Sequence, residues 1–290
     1  MTTKIHAKGA RAKGAGSKTR STAPRRSRTG KSRLGEATRD PRGAMRILEQ
    51  IQAAPTPVDA VRAALDALRD ALGSDYGAYW AVDRKAGLLA LQLDAGLPPG
   101  GFAATSKTAV YREGTGILGR AWQSRDVQIA ERLEDLSDCP RRDAARAAGL
   151  ASAVALPLCS RGEVFGIFDF VFAAQLGLTP DERAWLADLT RLVSHALNGQ
   201  QRAADSERQQ SMLERVPVNI IVADTDLVIR YMNKASLEQL RRLQEFLPCD
   251  VDSIVGRSID IFHKNPERQR KLLADPRNLP YQTRIHVGPE

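Results

Sequence analysis

From Thr56 to Gly73 the apolar residues Val58, Val61, Leu65, Leu68 and Leu72 recur every three or four positions, the period of one helix face. Thr56 and Pro57 supply an N-cap and a first helical residue, and Gly73 ends the run. Two β-rich runs follow, YGAYWAVD and LLALQLDAG, separated by Arg84–Gly87, and they predict a hairpin. After a glycine-rich stretch come a short strand at Val127–Ala130 and a short helix around Arg141–Ala148. The runs SAVALPLCS and EVFGIFDFVFA, joined by Arg161–Gly162, predict a second hairpin. TPDE then opens a helix in which Thr179 caps, Pro180 is first and Glu182 completes a capping box. Hairpins imply antiparallel pairing, because parallel strands need long crossovers. The expected fold class is therefore α+β, with one antiparallel sheet and helices packed on it.

The capped helix has few breakers after Thr179. Leu186, Leu189, Val193 and Leu197 are spaced like a seam, and beyond Asn198 the pattern turns polar. A long helix between domains often pairs with its copy, so a homodimer is expected, and a plain connecting helix fits the same residues. From Val216 onward NIIVAD and LVIRYMN predict two short strands around Thr225-Asp226, and Leu237, Leu240 and Leu243 mark another helix.

The charge changes the picture at one end only. Residues 1–43 hold 13 Lys/Arg against Glu36 and Asp40, a net +11, which leaves the rest of the +9 chain at −2. This tail has almost nothing apolar to bury and is expected to be disordered. It could hold nucleic acid loosely through phosphate contacts, although it lacks aromatics for base stacking; a solubilising extension is the equal alternative. Cys139, Cys159 and Cys249 form no C-x-x-C pair and fit a reducing cytoplasm. No apolar run reaches the ~18 residues of a membrane span. There is no G-x-S-x-G, P-loop, H-E-x-x-H or kinase motif, so the chain is expected not to be an enzyme.

Gly114, Gly116 and Gly119 in REGTGILGRAW have the G-x-G-x-x-G spacing of a dinucleotide turn. That site needs a buried strand before the first glycine and a full crossover helix after it. Here TSKTAVYRE precedes, and only the segment from Arg120 to Asp126 separates Gly119 from Val127. Glu131 alone matches the ribose-binding acid. The glycines are expected instead to let the backbone bend and pack closely.

GTGILGRAWQSRDVQIAERLED followed by ARAAGLASAVALPLCSRGEVFGIFDF resembles a GAF domain over about residues 45–199, with Val127 where many members have proline. The resemblance implies a small-molecule receptor with a pocket between sheet and variable helices. Matching pocket positions are Tyr79, Trp122, Cys139 and Phe168, with Trp122 and Phe168 read as core before ligand contacts. Some GAF domains attach a bilin through a cysteine near Cys139. Here Pro140 follows it where the phytochrome-type pattern has histidine, so a half-buried loop thiol is expected rather than a bilin.

The tract VGRSIDIFHKNPERQRKLLADPRNLPYQTRIHVGPE, behind the Y-x-N of LVIRYMN, resembles the PAS domains of bacterial methyl-accepting chemoreceptors over about residues 212–290. Such domains have three further strands after the helical middle, and only YQTRIHVG is present, so an incomplete PAS sheet with an open edge is expected. Some of these domains hold heme through a histidine, which makes His263 the candidate ligand, although a helix-capping or surface histidine beside Lys264 is the first reading of the residue. The expected organisation is a tail (1–43), a GAF domain (44–199), a connecting helix (200–211) and a partial PAS domain (212–290). The expected function is the input region of a cytoplasmic chemoreceptor, reaching a chemotaxis kinase and its coupling protein through a further C-terminal module. The input module of a histidine kinase or diguanylate cyclase, and a tail-driven nucleic-acid-associated protein, are the alternatives.

Overall fold

Two hairpins supply four strands of one antiparallel sheet. β1 (Tyr76–Asp83) pairs with β2 (Leu88–Ala95), and β4 (Ser152–Ser160) pairs with β5 (Glu163–Phe172). β3 (Gln128–Ala130) adds to the free edge of β4, and the order across the sheet is β2-β1-β5-β4-β3. These strands belong to a computed structural model that describes residues 41–98, 100–263 and 265–280. Residues 1–40 of the basic tail, and the strand expected at Tyr281–Gly288, lie outside the described residues.

Strand alternation sorts the sheet into two faces. Val154, Leu156, Phe168, Phe170 and Phe172 join one core with α1 (Pro41–Ala53), α2 (Pro57–Leu72) and α6 (Pro180–Arg215). Ala153, Ala155, Ile167, Val171, Ala78 and Trp80 form the second core, under α3 (Phe102–Thr108), α4 (Gly116–Ser124) and α5 (Arg142–Ala147). Thr56 accepts a hydrogen bond from the Asp59 amide and Gly73 closes α2 in the left-handed region, as the sequence predicts. The buried stripe of α2 is Ala60, Ala64, Leu65, Leu68 and Leu72; Val58, in the first turn, is exposed and lies off that stripe. Periodicity of large residues alone misses α1 and α3.

The three glycines do not build a dinucleotide turn. The nine-residue helix α4 begins at Gly116 (φ 60°), and the strand after it runs antiparallel to its neighbour. A Cβ on Gly119 would stand 2.1 Å from the Arg112 carbonyl oxygen, so this glycine lets α4 lie directly on the preceding backbone. Glu131 pairs with Arg183 at 2.6 Å.

The 36-residue α6 starts in the expected capping box of Thr179 and Glu182. Leu186, Leu189, Val193 and Leu197 are buried against the sheet; beyond Leu197 no residue of the helix is. A smaller unit follows, with the two-stranded sheet of β6 (Ile221–Ala223) and β7 (Ile229–Met232), then α7 (Lys234–Arg242) and α8 (Pro266–Leu273). Ile229, Met232, Val251 and Ile254 form its buried core. The whole is mixed helix and antiparallel sheet.

Candidate functional site

Arg141 stands immediately before α5, yet its side chain is only 3% exposed because it points inward under the sheet. Burying a guanidinium unpaired is very costly, so every donor group must be met. Nη2 donates to Asp169 Oδ2 at 2.5 Å, Nε to the Tyr111 hydroxyl at 2.7 Å and Nη1 to Ser106 Oγ at 3.2 Å. Its central carbon lies 5.2 Å from the Trp80 ring, 5.0 Å from Phe102 and 5.5 Å from Tyr111. Each such cation–π contact is worth about 0.5–2 kcal/mol, more when desolvated. Trp80 and Tyr111 meet edge to face, as do Tyr76 and Phe102. The result is an aromatic cage with one carboxylate, occupied by the protein's own arginine.

Each wall has a local cause. Asp169 alternates with Ile167 and Val171 on the inward face of β5, and Trp80 comes from β1. α3 presents Phe102 and Ser106, and Tyr111 is fixed by a bridge to Leu89. The loop carrying Arg141 is tied down by Asp138, whose Oδ2 accepts from the Gly116 amide at 2.8 Å and from Arg120 Nη1 at 2.9 Å. The Gly116 amide, then the Arg120 charge, hold the Asp138 carboxyl below its ordinary range. Burial pushes the Tyr111 hydroxyl well above the ordinary tyrosine value, against the pull of Arg141. Burial opposes the charge on the Arg141 guanidinium, and Asp169 and then Tyr111 outweigh it and keep the group charged.

Two polar atoms of the cage are unused. Asp169 Oδ1 and Trp80 Nε1 are buried and make no hydrogen bond. Beside Arg141 remains a space of about 10 Å³, lined in part by Phe102, Ile117, Cys139 and Val171. That is room for about one water, so a larger ligand enters only if Arg141 leaves.

Of the residues singled out by sequence, Cys139 lines this space, and its sulfur lies 3.8 Å from the Tyr111 hydroxyl. Trp122 is half-buried against the same core. Tyr79 and Phe168 lie on the other face of the sheet, their rings 5.5 Å apart, in the core beneath α6. Burial pushes the Tyr79 hydroxyl up to about 12. His263 is half-buried at the end of a short 3₁₀ turn (Ile259–Phe262), far along the chain from the cage, with its amide donating to the Asp260 carbonyl. Arg141, Asp169, Tyr111 and Trp80 were not singled out. The available signal was one aspartate inside the otherwise apolar strand VFGIFDFVF.

Compared with known proteins, the chain is 44% identical over 78 residues to the methyl-accepting chemotaxis protein McpB of Pseudomonas aeruginosa, a match covering 25% of this chain and 12% of that protein. The chain thus spans about an eighth of that relative's length. Among solved structures, the free methionine-R-sulfoxide reductase of Neisseria meningitidis, in complex with its substrate, aligns at 16% identity over 60% of this chain and 96% of that one, with a TM-score of 0.48. The GAF domain of an Acinetobacter phosphoenolpyruvate-protein phosphotransferase aligns at 14% identity over 61% and 99%, with a TM-score of 0.45. The reductase corrects one expectation. Solved neighbours include an enzyme, so the missing hydrolase, P-loop and kinase motifs do not make this chain non-catalytic; they test only their own chemistries. No helix among the described residues is long and apolar enough to cross a membrane. The model of the GAF domain family matches residues 54–198, half of the chain, and the chain belongs to that family.

Proposed function

We propose that this chain is the signal-input region of a bacterial transducer of the chemoreceptor type, in which the GAF cage is the sensing element and residues 212–290 form a PAS-type module. The observation that carries the reading is the continuity of α6. Its first half is buried in the GAF core, and its last turn is held by the second unit. Glu214 accepts from the Tyr231 hydroxyl at 2.8 Å and from the Lys234 amide at 2.9 Å. Asn233, fully buried, donates through Nδ2 to the carbonyls of Leu213, Val216 and Val218. Its Oδ1 accepts from the amides of Ile220 and Ser236. A shift of α6 therefore pulls directly on the start of α7. The McpB likeness supports the chemotaxis assignment, with a chemotaxis kinase and its coupling protein as downstream partners.

A signal enters when the cage exchanges its Arg141 occupant for a ligand, which biases two packings of the sheet against α6. Leu192, Met212 and Leu213 are exposed on this helix, which supports its pairing with a second copy.

The test is a chimera that joins residues 1–290 to the signalling part of a chemoreceptor, with alanines inserted one at a time after Ala204. If α6 transmits the signal as a rigid helix, kinase output follows the insertions with a period of about 3.6 residues. A flat or steadily declining output rules the reading out.

A further inference from the structure

A cavity of about 540 Å³ opens on the other side of the sheet from the cage, where α6 crosses the end of the β4–β5 hairpin and the segment joining α4 to β3. Its volume lies within the roughly 300–1,000 Å³ of small-molecule pockets. Pro157, Val127 and Ala187 give it apolar wall, and the rest is unusually cationic. Arg125, Arg161, Arg191 and Arg202 line it, against Asp126 as the one carboxylate. Asp126 is itself engaged, its Oδ1 accepting from the Val127 amide at 2.8 Å. Arg191 pairs with Asp188 on its own helix. The guanidinium groups of Arg125, Arg161 and Arg202 have no hydrogen-bond or ion-pair partner among the described residues.

The backbone gives a second, independent indication. Among the described residues three that are not glycine have positive φ: Arg125 at 60°, Arg161 at 53° and Leu227 at 63°. Two of the three are arginines of this cavity. Arg161 shares its two-residue hairpin turn with Gly162, and asparagine or glycine would take that position without strain. Arg125 ends α4 in the left-handed region where glycine is usual. Strained backbone retained at two arginines that converge on one space marks a functional position.

Other polar side chains share the wall. His195 lines the cavity, and the Ser160 hydroxyl donates to Asn198 Oδ1 at 2.9 Å, which leaves the Asn198 amide nitrogen as a further donor on the wall. Planar guanidinium forks match the oxygens of a phosphate two at a time. We propose that this cavity binds a small organic phosphate of about nucleotide size, as a second ligand site of the domain separate from the Arg141 cage. It abuts the helix that leaves the GAF core, so its occupancy adds to whatever the cage reports. The proposal does not depend on the chemoreceptor reading.

Inorganic pyrophosphate is the probe that isolates the shared chemistry, titrated calorimetrically into the full chain at low salt. Saturable binding is expected in the wild-type chain. Arg161→Glu combined with Arg202→Glu should weaken it by at least about tenfold, the scale of one charge-assisted contact. Both positions are exposed, so far-ultraviolet circular dichroism should be unchanged. Arg62→Glu, on the exposed side of α2, is the charge-matched control and should bind as the wild type does. Binding undiminished in the double variant would place the site outside this cavity and overturn the proposal. Absence of saturable heat in the wild-type chain would overturn it equally.

Discussion

Arg141 Nη2 and Asp169 Oδ2 stand 2.5 Å apart, with side chains 3% and 0% exposed. Their separation in sequence hides the relationship: one residue precedes a six-residue helix and the other lies inside a core strand. A buried pair of this kind contributes little net stability over apolar residues of similar size, but breaking it strands a charge. Asp169→Leu should therefore lower the unfolding free energy by about 3–5 kcal/mol, while Asp169→Leu with Arg141→Met should recover most of that loss. Urea unfolding of the two variants and the wild type measures both numbers. Equal losses in the single and double variants would mean that the pair is not coupled.

The cage now holds a guanidinium, so it should accept one from solution once Arg141 is shortened. Arg141→Ala removes the occupant and leaves Asp169 facing three aromatic rings. Millimolar methylguanidinium should raise the thermal midpoint of this variant and leave that of the wild type unchanged, because only the variant gains a ligand in its native state. A shift of the same size in both proteins would place the binding elsewhere.

Asp138 ties the Arg141 loop to the start of α4, and its carboxyl is held below the ordinary range chiefly by the Gly116 amide. A depressed carboxyl contributes stability that is present above the unfolded value of about 3.9 and is lost as pH falls through the folded value. The chemical shift of the Gly116 amide should follow this titration with a midpoint below about 3.9. Asp138→Asn should abolish the transition. A midpoint at or above the unfolded value would break the link between this hydrogen bond and the loop.

Much of the GAF part was legible because its elements announce themselves locally. Both hairpins, the Thr56 and Thr179 caps and the Gly73 stop are written in turn and capping chemistry within a few residues. The role of Gly119 as a close-packing glycine also followed, since a dinucleotide site needs a crossover that the spacing forbids. α3 was not legible, because the seven residues FAATSKT carry one large apolar side chain and no period. The face assignment of the site was harder still. Phe168 and Asp169 are adjacent, and the two-residue period of a strand sends them to opposite sides of the sheet. A resemblance that names a pocket position does not fix which face it occupies. Arg141 was hidden for a different reason: charged residues are read as surface by default, and only the buried carboxylate opposite it reveals the exception.

The central claim is that the state of the cage reaches the second unit through α6. Amide hydrogen exchange on the full chain, comparing wild type with Arg141→Met, tests it most directly. The substitution loosens the cage at Asp169 and Tyr111, and the account predicts faster exchange there and also at the distal contact of Glu214 with Lys234 and of Asn233 with Val218. Faster exchange confined to residues 76–172, with the amides from Leu213 to Ser236 unchanged, would show that the cage and the helix end are not coupled.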